Sequence, residues 1–123
     1  MNNKAIKIWG REFHLNLIYK TYSGEGPLSC QVAAVDEFKP SVIDEVKGEV
    51  EKYIIKYNLK EIGRESIDNI FKYVMPKAIY VPQVPEHKII ALMCYYKLDM
   101  EHGLAIVFED NKLMNIGEED IVL

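Results

Sequence analysis

"IIALMCYYKLDMEHGLAIVFEDNKLMNIG", residues 89–117, decides the fold. Its opening run, "IIALMCYY" (89–96), is apolar on both faces, which predicts a central position for a strand over 89–98. Gly103 then closes a loop, and "LAIVFE" (104–109) returns as a second strand. "EDNK" (109–112) reads as a tight turn, because Asp110 and Asn111 both tolerate the positive φ that such turns need. A third strand follows over 113–117. Short turns between apolar runs make an antiparallel meander. Upstream, 78–84 is a further strand, expected at a sheet edge because Pro82 and Pro85 cannot donate to a ladder. Downstream, "EEDIVL" (118–123) is either a short last strand or a clip.

The N-terminal half opens with a hairpin. "AIKIW" (5–9) and "EFHLNLIY" (12–19) flank Gly10-Arg11, read as a two-residue turn. Phe13, Leu15, Leu17 and Tyr19 alternate onto one face, the period of a half-buried strand. "CQVAAVDEF" (30–38) reads as a helix on the spacing of Val32, Val35 and Phe38. "SVIDEVKGEVEKYIIKYN" (41–58) is a longer helix, with Ser41 and Asp44 resembling a capping box and Asn58 as its stop. Ile43, Val46, Val50, Tyr53, Ile54 and Tyr57 share its apolar face. "ESIDNIFKYVMP" (65–76) gives a third helical pattern, capped by Ser66 and ended by Pro76.

The order of elements predicts one α+β domain over residues 1–123. It consists of an antiparallel sheet, made of the N-terminal hairpin and the C-terminal meander, with two or three helices packed on one face. A chain of 123 residues buries a core without help from metal or disulfide. Hydrophobic content of 49% against 28% charged excludes a disordered chain. The net charge of −4 argues against nucleic acid, which needs a basic face. No apolar run is long enough for a membrane span, and no export signal precedes the first strand. With only Cys30 and Cys94, these features predict free thiols and a cytoplasmic location.

Asp99, Glu101 and His102 are the residues best suited to chemistry: two carboxylates and an imidazole in four positions. They could bind a divalent metal or move protons, with His14 or His87 as further ligands. On strand geometry Asp99 and Glu101 share a face and His102 points away. The competing reading is a hairpin loop. Gly103 supplies positive φ and Asp99 accepts hydrogen bonds from the loop backbone, which leaves Glu101 and His102 unexplained. "SGEG" (23–26) lacks the spacing of a phosphate loop. Cys94 lies within an apolar run and reads as a small buried hydrophobe. No complete catalytic or cofactor motif appears.

The C-terminal half resembles a family of small uncharacterised bacterial proteins with a D-x-E-H-G-[LI]-A-[IV]-x-F segment. The likeness rests on Asp99, Glu101-His102-Gly103, Ile106 and Phe108, with the closing turn from Gly117 to Asp120, and extends over residues 66–123. It implies no catalytic residues and no cofactor. Its association is with immunity or accessory proteins of contact-dependent toxin systems.

The function expected is therefore capture of another protein without catalysis. Eight tyrosines on an acidic chain suit a basic protein partner, with Glu101 and His102 as contact residues. Free sheet edges leave a homodimer open. The alternatives are a metal-binding or acid–base enzyme on Asp99, Glu101 and His102, and a purely structural turn.

Overall fold

A computed structural model describes residues 3–123; residues 1–2 of the expected domain lie outside that range. Six strands form one sheet in chain order: β1 (Asn3–Ile8), β2 (Arg11–Tyr19), β3 (Val74–Val81), β4 (Ile89–Tyr96), β5 (Leu104–Glu109) and β6 (Lys112–Gly117). The hairpin and the meander are both present, and β4 is central as its two-sided apolar run requires. The sheet is nevertheless mixed. β2 and β3 pair in parallel, Asn16 opposite Ala78 through Tyr19 opposite Val81. Parallel strands need a long crossover, and residues 20–73 supply it.

That crossover contains α1 (Ser29–Glu37), α2 (Ser41–Glu45) and α3 (Lys47–Ile62). All three pack on one face of the sheet. Ala34, Val35, Val42, Ile43, Val50 and Ile54 join Leu15, Ile79, Leu92, Ile106 and Phe108 in a single core. The other face buries Ala78, Tyr80, Ala91, Met93, Ala105 and Val107, with Val84 and Val122 packed against them. The C-terminal residues are thus a clip rather than a strand, with a 3-10 turn at Glu119–Ile121.

Several local expectations are corrected. The segment expected as a helix over 65–76 holds only a 3-10 turn, Ile70–Lys72, where Asn69 accepts the Phe71 N–H at 3.1 Å. Asparagine there offers the backbone an alternative to a helix. Pro76 lies inside β3, beside the register shift between Pro76 and Ala78, where a missing donor is tolerated. β3 is an interior strand and not an edge, because Pro82 and Pro85 fall after its end.

The helix expected over 41–58 is two helices, broken at Val46 (φ −100°, ψ 10°). Ser41 makes no side-chain cap. Asp44 instead accepts the Trp9 N–H at 2.7 Å, and the Trp9 indole donates to the Ile43 carbonyl at 3.0 Å. These bonds hold Trp9 at φ 49°, so the hairpin turns at Trp9-Gly10 and not at Gly10-Arg11. Asn58 does not end α3. It leaves helical geometry (φ −135°), the helix resumes, and Gly63 ends it at φ 75°. The Asp110-Asn111 turn forms as expected, with φ 50° and 65°.

α1 is a helix as expected, but its buried face is Gln31, Ala34 and Val35, while Val32 is exposed. Gln31 is the buried polar residue of the core. Its amide nitrogen donates to the carbonyls of Lys20 (2.9 Å) and Val81 (3.0 Å), and its oxygen accepts the Leu28 N–H (2.7 Å). One side chain thereby joins the ends of β2 and β3 to the start of α1.

Candidate functional site

The loop from Lys97 to Gly103 joins β4 to β5 and is seven residues long. Turn chemistry builds it. The Asp99 N–H donates to the Tyr96 carbonyl (3.1 Å), and the Gly103 N–H to the Asp99 carbonyl (3.0 Å). The Asp99 carboxylate accepts the His102 N–H at 3.3 Å. Gly103 takes φ 66°, the left-handed region that glycine adopts without cost.

The loop does not end in solvent. It docks on the C-terminal clip. The Glu119 N–H donates to the His102 carbonyl at 3.0 Å, and the Glu119 side chain lies where a Cβ on Gly103 would stand. Lys77 from β3 holds that carboxylate at 3.1 Å, in a largely covered pair. The cap of the meander, an interior strand and the chain's last turn therefore meet at Glu119.

His102 is the polar hinge of this junction. Its Nδ1 lies 2.9 Å from the Asp99 carboxylate, and its Nε2 lies 3.7 Å from Glu118. The hydrogen bond to Asp99 and its charge, then Glu118 and Glu101, raise the His102 pKa above its ordinary value. The expected partition is reversed: Asp99 and His102 converge, while Glu101 faces solvent. Asp99, His102 and Glu118 bring one donor atom each to within 4.8 Å of one another. Glu118 takes the place expected for Glu101. His14 sits in β2 opposite Ala5, beside the far edge strand. His87 bonds Glu109 at 2.6 Å, at the opposite end of β5 from Gly103. Neither joins the cluster.

Beside this junction a cleft of about 470 Å³ opens between α3, the loop and the clip. Tyr53, Tyr57 and Tyr96 line it together with Asp99, Glu118 and Asp120, and no Lys or Arg does. Tyr57 was expected in the core through its helical spacing. It is 60% exposed instead, with its ring centroid 4.8 Å from that of Tyr53. Tyr96 is buried, and its hydroxyl donates to Asn58 Oδ1 at the irregular turn of α3. Burial first, then Tyr57, Glu118 and Asp99, raise the Tyr53 pKa; burial first raises that of Tyr96. Both phenols are neutral at physiological pH and present rings and hydroxyls, not charge.

The two thiols are free, as expected. Cys94 is fully buried in β4, which pushes its pKa up, and Cys30 is partly exposed on α1. No helix among the described residues is long and apolar enough to cross a membrane.

Glu118 was missed as a site residue by sequence reasoning, and the tyrosines expected to suit a partner surface were not narrowed to Tyr53 and Tyr57. No curated protein and no solved structure matches the chain. A family model does match residues 2–123, nearly the whole length, and the chain belongs to that family, a domain of unknown function, DUF6985.

Proposed function

We propose that the protein is a non-catalytic binding module of the immunity or accessory kind, and that its cleft receives a basic segment of a protein partner. The observation that carries this reading is the lining itself: aromatic rings on α3 and β4 facing the carboxylates of Asp99, Glu118 and Asp120, with no cationic side chain among the lining residues. A cation over a tyrosine ring is attracted by its quadrupole, and the flanking carboxylates add direct hydrogen bonds. The net charge of −4 steers such a partner toward the molecule. An array of basic, neutral and acidic peptides of one length tests the reading. The wild-type protein retains the basic peptides, and Asp99→Asn/Glu118→Gln loses them. Binding that ignores peptide charge, or survives the double substitution, contradicts it.

A second reading is favoured by the spacing of Asp99, His102 and Glu118, which suits a divalent cation held by mixed nitrogen and oxygen ligands. It predicts Zn²⁺ or Mn²⁺ binding in titration calorimetry that is lost in His102→Ala. A protein whose melting temperature ignores both metals rules it out.

A further inference from the structure

We infer that the side chain taken into the cleft is an arginine rather than a lysine. This rests on the cation-binding reading above and names its ligand. Two features of the cleft favour a planar cation with several donors over a compact ammonium.

The first is the wall. Tyr53 and Tyr57 lie one turn apart on α3, and their planes are inclined by 51°. Two tilted rings give a flat group a face to stack on. Guanidinium is planar and weakly hydrated, so it stacks with little desolvation, whereas an ammonium is strongly hydrated and makes no flat contact. Lys56 rests 5.2 Å from the centre of the Tyr57 ring and is not among the lining residues, so an incoming guanidinium stacks on the part of the tyrosine wall that faces the cleft.

The second feature is the internal occupant of the carboxylates. The His102 ring stands between Asp99 and Glu118, one nitrogen toward each. The planar ring is hydrogen-bonded to Asp99 and approaches Glu118, so a flat nitrogen-bearing group fits the space between these two carboxylates. Their donor atoms lie within 4.8 Å of each other. A guanidinium carries five N–H donors in a rigid fork and meets two carboxylates at once. An ammonium reaches the same charges only as a point.

The test is an NMR titration of the full chain with two probes, N-acetyl-arginine amide and N-acetyl-lysine amide, at one fixed pH. The arginine probe binds the residues around the cleft about two- to fivefold more tightly, the ratio expected when guanidinium makes one exposed ring contact that the more strongly hydrated ammonium does not. Tyr57→Ala removes the preference and Tyr57→Phe keeps it. Tyr57 is mostly exposed, so neither change threatens the fold. Equal binding of the probes, or tighter binding of lysine, overturns the arginine assignment and leaves the broader cation reading standing. Binding of neither probe overturns both.

Discussion

A Cβ on Gly103 would overlap the carboxylate of Glu119, so any side chain at 103 has to displace the Glu119 side chain from its place beside Lys77. The relationship explains why a glycine closes this loop twice over: by backbone sign and by space. Gly103→Ala is expected to destabilise the protein by about 1–3 kcal/mol, the cost of holding a non-glycine residue in the left-handed region with a collision added. Urea unfolding measures it. Coupling with Glu119→Ala in a double-mutant cycle separates the two causes, since only the collision is relieved by the second change. An alanine that unfolds at the wild-type denaturant concentration contradicts the account.

His102 links pH to the junction. Its pKa is raised in the folded protein, chiefly by the hydrogen bond to Asp99. Its contribution to stability is therefore fully present below the unfolded-state value of about 6.5 and is lost as pH rises through the folded value. Binding runs the other way: imidazolium occupies Asp99 and Glu118, so affinity for a cationic ligand rises with pH across the same window. An NMR titration of the His102 ring checks the first statement, and its pKa should fall toward the ordinary value in Asp99→Asn. A pKa unchanged by that substitution is the contrary result. In His102→Ala the pH dependence of binding in this window should be gone.

Gln31 is expected to matter more for folding than any charged residue of the loop. Gln31→Leu keeps the volume but strands the Lys20 carbonyl and the Leu28 N–H. The predicted loss is about 1–3 kcal/mol, the cost of buried groups left without partners. Chemical denaturation decides, and a loss below about 0.5 kcal/mol, the range of ordinary surface changes, says that the bonds are replaced by water.

Glu101 and Glu118 should behave differently, although both are exposed glutamates near His102. Glu101→Ala is expected to leave stability and peptide binding within about 0.5 kcal/mol of wild type. Glu118→Gln should weaken capture of basic peptides, because Glu118 lines the cleft and Glu101 does not. Equal effects in a paired calorimetric titration would place the binding surface elsewhere.

What the sequence disclosed, and what it did not, follows from the range of the interactions. The meander was legible because its signals are local: a two-sided apolar run at 89–96 and positive-φ residues at Gly103, Asp110 and Asn111. The parallel pairing of β2 with β3 was not, since a contact between Leu17 and Ile79 leaves no mark on either segment. Ile67, Ile70, Phe71 and Val74 fall at helical spacing by coincidence, and the long-range demand of the sheet for Val74 overrides it. Asp99 was legible as a turn residue. Glu118 was not legible as its partner, because only the folding of the clip onto the loop brings 99 and 118 together. Trp9 at positive φ was beyond sequence reasoning for the same cause: α2 holds it there.

The most direct test of the central claim is a map of backbone amide shifts as a short arginine-containing basic peptide is added to the ¹⁵N-labelled protein. The account predicts saturable shifts confined to residues 53–58, 96–103 and 116–121, which surround the cleft, and their loss in Asp99→Asn/Glu118→Gln. Shifts centred on another face, or shifts that persist in the double variant, would contradict it.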